Sequence, residues 1–135
     1  MKKISLAIAL SISLYAGEYT KQDRIKDMQE MAEAMSTIET GFFYNNKEIV
    51  SSGALKLSDA IRKIQPPLEE IEERDPLTRY MNKKVQFTNK LIKKIDSKAK
   101  LIIERFSDGD VQAAVQAYTK VMKKCMQCHH EIREW

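Results

Sequence analysis

Residues 109–135 read GDVQAAVQAYTKVMKKCMQCHHEIREW, and within them Val111, Ala114, Tyr118, Val121, Cys125, Cys128 and Ile132 follow one another at alternating steps of three and four. Steps of that size return to one side of a helix with 3.6 residues per turn. The stretch from about 111 to 134 is therefore expected to be a single amphipathic helix. Asp110 is its expected N-cap, after the break at Ser107-Asp108-Gly109. A stripe this regular suits a helix packed at a shallow angle against others, so the rest of the chain has to supply partners of similar length.

Three such partners can be read upstream. Over about 20–43, Ile25, Met28, Ala32, Met35 and Phe42 recur at helical spacing, with Ile38 filling in. Over about 47–65 the stripe is Val50, Ala54, Leu57, Ile61 and Ile64, with Asn46 as the N-cap and Pro66-Pro67 as the stop. A charged connection from Leu68 to Asp75 leads to a third long segment, about 77–106, beginning after Pro76. There Met81, Thr88, Ile95 and Ile102 share one heptad position, and Leu91, Ala99 and Phe106 lie near the other. Four helices of roughly 30–45 Å at 1.5 Å per residue, joined by short or moderate connections, predict an all-α fold: an antiparallel four-helix bundle. Four Gly and three Pro in 135 residues agree with helix rather than sheet, and the length is that of one domain.

Residues 1–16 have a different character. Met1-Lys2-Lys3 is a short positive start, Ile4 to Tyr15 carries no charge, and Ala16-Gly17 supplies small residues. This is the layout of a secretory signal peptide, too short to span a bilayer, and it predicts export to the periplasm with residues 17–135 as the mature domain. Cleavage fits after Ser13 or after Ala16. Loss of residues 1–16 lowers the formal charge from +4 to +2, so the basic balance gives no reason to expect a nucleic-acid partner. The lysines between 83 and 100 read as a solvated helix face, or as a docking surface for an acidic redox partner.

The only two cysteines, Cys125 and Cys128, stand in Cys-Met-Gln-Cys-His at 125–129, the attachment signature of a c-type haem. The spacing has a physical reason. Cysteines at i and i+3 project from one side of a helix and can form thioethers with two vinyl groups on one porphyrin edge. His129, one residue further round, can then bind iron as an axial ligand. Other readings fit less well. A zinc site built from Cys125, Cys128, His129 and His130 would draw all its ligands from one short helical stretch, which cannot surround a metal tetrahedrally. A thioredoxin-like pair follows a strand at a helix start. A disulfide would close only a trivial loop, and two small buried thiols would leave the adjacent histidine unexplained. One covalently attached haem c, with its iron, is the expected cofactor.

His129 and His130 are the only histidines. His130 adjoins the proximal position and cannot reach the opposite haem face, so the sixth iron position falls to Met, to Lys, or to no protein group. In an antiparallel bundle the start of the first helix faces the end of the last, which brings Met28 near the level of His129. Met31 and Met35 lie roughly 5 and 10 Å further along the axis. Methionine is also a common core filler, so Met28 as ligand and an open distal face both stand.

With its haem motif near the C-terminus of a helical bundle, the chain resembles the cytochrome c′ family and its low-spin, methionine-ligated relatives. The resemblance rests on Gly109-Asp110 opening the last helix, on Tyr118, on Cys125-x-x-Cys128-His129, and on Arg133 four residues after the histidine. It implies that Arg133 lies beside the proximal face, that Arg24 lies near a haem propionate, and that Met28 occupies the distal position. It also implies a homodimer as a candidate assembly.

No paired carboxylates, Ser/His/Asp set or second metal cluster is visible, so an enzyme is not expected. Two functions are. One is an electron carrier passing single electrons between periplasmic or membrane redox partner proteins. The other is a five-coordinate haem protein that binds a diatomic gas such as nitric oxide in an apolar pocket built from Ile25, Met28 and Ala32.

Overall fold

The computed structural model describes residues 19–68 and 71–133, with the side chain of Arg133 excepted. The expected signal segment at 1–16 and Trp135 lie outside the described residues. Among those described, every regular element is helical: α1 (Lys21–Phe43), α2 (Lys47–Lys63), the short α3 (Pro76–Met81), α4 (Lys83–Ser107) and α5 (Val111–Arg133). None of these helices is long and apolar enough to cross a membrane.

The ends follow from local chemistry. Thr20 and Asp23 form a capping box at the start of α1. Asn46 accepts from the Ile49 amide at the start of α2, and Asp110 from the Ala113 amide at the start of α5. Two Schellman turns join neighbouring helices. After α1, the Asn46 amide returns to the Gly41 carbonyl, with Asn45 at φ 47°. After α4, the Asp110 amide returns to the Arg105 carbonyl, with Gly109 at φ 82°. Each places the residue that must turn left-handed where Asn or Gly tolerates it.

The segment expected as one helix over 77–106 is divided. Asp75 caps α3 through the Thr78 amide, and Asn82 then caps α4 by accepting from the Lys84 amide at 2.8 Å. An Asn side chain that bonds the backbone ahead of it ends one helix and starts another. Met81 lies on the α3 side of that break and is 58% exposed rather than buried. Beyond the break the expected positions hold: Thr88, Leu91, Ile95, Ala99, Ile102 and Phe106 are all buried. So are all five predicted positions of α2.

The tightest contact joins α1 to α2. Glu30 meets Lys63 at 2.9 Å near one end, Gly53 lies against Ala34 and Ile38, and Gly41 lies on Val50 near the turn. Residue numbers rise on one helix as they fall on the other, so the two run antiparallel. The buried line of α1 is Met31, Ala34, Ile38 and Gly41, turned by about one position from the predicted stripe. The predicted Ile25 is 42% exposed. α2 then packs on α4, where the Ser58 hydroxyl donates to Asp96, and α4 packs on α5. Burial opposes the Asp96 charge, but hydrogen bonds from Lys100 and Ser58 outweigh it and hold that carboxyl below its usual range. Phe42 of α1 lies 5.6 Å from Phe106 of α4 and 5.7 Å from Tyr118 of α5 between ring centroids.

The two interhelical glycines yield a test. A Cβ on Gly53 would stand 2.8 Å from the Ile38 backbone nitrogen, and one on Gly41 2.7 Å from that of Val50. Alanine gains about 1 kcal/mol in helix propensity over glycine, whereas overpacking against backbone that cannot yield costs about 1–3 kcal/mol. Gly53→Ala and Gly41→Ala should therefore each lower stability, read as a lower urea midpoint at unchanged m-value. A raised midpoint would show that the helices can separate at no cost.

Candidate functional site

Beginning at Tyr118 and running toward the opposite end of the molecule from Phe42 and Phe106, the helices line a cavity of about 370 Å³. That is within the size range of small-ligand and cofactor sites. All four long helices line it. α1 contributes Met28, Met31, Ala32 and Met35, and the end of α2 contributes Ile61 and Ile64. α4 provides a wall of Leu91, Ile92 and Ile95, and α5 presents Tyr118, Met122, Cys125, Met126, Cys128 and His129.

The cavity exists because α1 has two apolar faces. Its small residues Ala34 and Gly41 draw it onto α2. Its remaining apolar flank, Met28, Ala32 and Met35, is then left facing α5 across a gap. Much of the predicted α1 stripe is thus a cavity wall, not packed core. On α5 the i, i+3 spacing keeps Cys125 and Cys128 on the inner side, and His129 follows them to the same cavity.

The sequence-predicted residues divide accordingly. Cys125, Cys128, His129 and Met28 come together on one cavity, with Met28 on the helix opposite the other three. Arg24 does not line it. This arginine is 2% exposed near the start of α1, one turn before Asp27, which is 6% exposed and accepts a 2.7 Å hydrogen bond from the Tyr19 hydroxyl. Burial and that bond to Asp27 push the Tyr19 phenol up. Of Arg133 only the backbone, at the end of α5, is described. His130 is exposed. No Lys or Arg is among the lining residues, so acidic groups on a bound molecule would find no cation within the described walls.

Sequence reasoning passed over Met122 and Met126. They bring the thioethers lining the cavity to five of the chain's seven methionines. Their signal was present: Met126 lies inside the Cys-x-x-Cys pair and Met122 one turn before it. Both are half exposed at the rim, whereas Met31 is buried.

Both cysteines are free thiols. Burial pushes the Cys125 thiol up from 9.0 to about 11, and neighbouring Cys128 adds to the shift. A thiol held neutral in an apolar wall is a poor nucleophile, which does not suit a thioredoxin-like redox pair. Nor do any three His, Cys, Asp or Glu side chains gather as a metal-binding group among the described residues, so the zinc alternative has no cage there. An apolar wall with two inward sulfurs, an adjacent imidazole and a thioether opposite does fit the edge, face and iron of a covalently held porphyrin.

The Cys125 shift makes a prediction for the chain without cofactor. Its thiol is neutral in both folded and unfolded chains below pH 9, so its contribution to stability is complete there. As pH rises from about 9 to about 11 the unfolded chain ionises first, and that contribution is lost. At pH 8, Cys125 in the folded chain should alkylate with iodoacetamide at least about tenfold more slowly than in urea, because its thiolate fraction is smaller. Equal rates would mean that the thiol faces water.

No protein-family model matches the chain, and no curated protein or solved structure matches it either.

Proposed function

We propose that the protein is a periplasmic mono-haem c-type cytochrome, an antiparallel four-helix bundle that carries single electrons between redox partner proteins. The observation that carries this reading is the convergence of Cys125, Cys128 and His129 on an apolar cavity that Met28 lines from the opposite helix. The bundle arrangement is supported by which parts of the helices meet there: the first half of α1, the end of α2, the first half of α4 and the second half of α5. Helices that alternate in direction bring those parts to one end.

Haem, when bound, supplies a one-electron ferric–ferrous couple. The chain does the rest. Cys125 and Cys128 would hold the porphyrin edge through two thioethers, so the cofactor cannot dissociate. His129 would give its imidazole nitrogen to the iron, with its position set by the helix that also carries both sulfurs. Met28 is the candidate second protein ligand to the iron, and its thioether would favour the reduced state and raise the potential. Leu91, Ile92, Ile95 and Ile64 would give the cofactor an apolar wall. A dry, low-dielectric surround penalises added charge and so also tunes the potential.

The alternative reading, binding of a diatomic gas, requires that Met28 leave the iron open. Ala32, a small residue one turn from Met28 on the same wall, is the feature that favours it. Expression with the signal segment in a host able to attach haem should give coloured protein with the mass of the mature chain plus one haem. Its ferric spectrum should be low-spin with the long-wavelength sulfur-to-iron band, and Met28→Ala should convert it to high-spin and lower the midpoint potential. A colourless product of bare-chain mass would end the haem reading. A high-spin wild-type spectrum would select gas binding over electron transfer.

A further inference from the structure

Charge is distributed unevenly over the four long helices. α4 has eight Lys or Arg against Asp96 and Glu104, and α5 has Lys120, Lys123, Lys124 and Arg133 against Glu131. α1, in contrast, has five acids against three basic residues. The tertiary contacts decide which way the α4 and α5 charges point. Asp96 accepts from Ser58 of α2, so that flank of α4 faces α2. Lys94 and Lys98 lie two residues on either side of Asp96, each roughly 160° round the helix from it, on the flank away from α2. On α5, Met122 and Met126 face the seam with α1 through the cavity. Lys124 is two residues from both and Lys120 two before Met122, again roughly 160° away, on the flank toward α4.

The turn at Gly109 sets the register. Counted back from it, Lys98 of α4 stands level with Lys120 of α5, and Lys94 with Lys124. Four lysines thus share one face across the α4–α5 seam, beside the level of Leu91, Ile95 and Cys125 in the cavity wall. Among the described residues, Lys94, Lys98 and Lys120 make no ion pair, and the Lys124 ammonium donates to the neutral Gln127 amide oxygen at 2.8 Å. Like charges four residues apart, as in Lys94–Lys98 and Lys120–Lys124, work against helix stability. Asp96, the one acid between Lys94 and Lys98 in the chain, is turned to Ser58 and Lys100 on the other side of α4.

We infer that the α4–α5 face is the docking surface for the carboxylate-rich surface of a redox partner protein. A protein is favoured over a membrane because the exposed apolar side chains of α5, Val111, Val115, Met122 and Met126, lie on the opposite flank. The basic face therefore has nothing to insert into lipid. Complementary charge would speed encounter and orient the partner over the wall behind which Cys125 lies. The redox character of the partner rests on the electron-carrier reading; the docking face does not.

The test compares the mature, exported protein with two fourfold variants of equal charge change. One is Lys94→Gln, Lys98→Gln, Lys120→Gln and Lys124→Gln; the control is Lys21→Gln, Lys26→Gln, Lys47→Gln and Lys56→Gln. Poly-L-glutamate serves as the carboxylate probe at low salt, and vesicles of phosphatidylcholine with phosphatidylglycerol as the lipid probe. The α4–α5 variant should bind poly-L-glutamate at least about tenfold more weakly than wild type, and the control within about twofold. Oxidation of the reduced protein by anionic ferricyanide should slow by a similar factor in the first variant only, while oxidation by cationic tris(phenanthroline)cobalt(III) should not slow. Equal losses in both variants would show net charge alone at work and overturn the proposal, as would vesicle binding without poly-L-glutamate binding. Absence of a haem spectrum would instead remove the electron-carrier reading, leaving the poly-L-glutamate comparison to decide the docking face.

Discussion

The close approach of α1 to α2 is the constraint from which the rest of the arrangement follows. Gly41 sits on the Val50 backbone and Gly53 on that of Ile38, with no room at either for a Cβ. Once α1 is drawn this near to α2, it cannot also press its other apolar flank onto α5. The two touch through Phe42 and Tyr118 and then leave a gap that Met28, Ala32 and Met35 line from one side. The gap is bounded by α4, which is held against α2 by the Ser58–Asp96 hydrogen bond and against α5 through the Gly109 turn. The cavity is the space left over when three helix pairs pack tightly and the fourth does not.

That space is chemically specific. Its walls are mostly aliphatic and thioether side chains, which bond weakly to water and adapt their shape. Two thiols and one imidazole project into it from a single helix. Burial keeps the Cys125 thiol neutral, so the wall around it is mostly apolar, with Ser36, Glu39, Thr88 and His129 as its polar members. A large, flat, mostly apolar cofactor attached at the sulfurs would restore the contacts that α1 and α5 do not make with each other. Cofactor and fold are coupled in this reading, because the same gap that admits a porphyrin is a packing defect without one. The lysines of α4 and α5 lie on the outer side of the same wall, which ties the proposed partner surface to the proposed redox centre by a shared pair of helices.

Much of this was legible one dimension at a time. The three-and-four spacing of α5, the Asn46 and Asp110 caps and the full α2 stripe could be read because each depends on helix periodicity or on a side chain bonding its own neighbouring backbone. The Asn82 break was harder to see. A single capping residue inside an otherwise helical pattern competes with helix continuation, and the local chain leaves the two nearly balanced. The phase of α1 was not legible at all. Both of its candidate stripes are apolar, and choosing between them requires knowing that a neighbouring helix approaches at glycines.

The sequence by itself therefore determined the helical class, most helix ends and the placement of Cys125, Cys128 and His129 on one side of the last helix, because these are local consequences of spacing and capping. Only the tertiary structure decided that Ala34 and Ile38 are core while Met28, Met31 and Met35 line a cavity, that Met122 and Met126 join them, and that lysines of α4 and α5 share one face. Those outcomes depend on how close two helices can come and how each is rotated when they do. That distance and rotation are set by contacts between residues far apart in the chain.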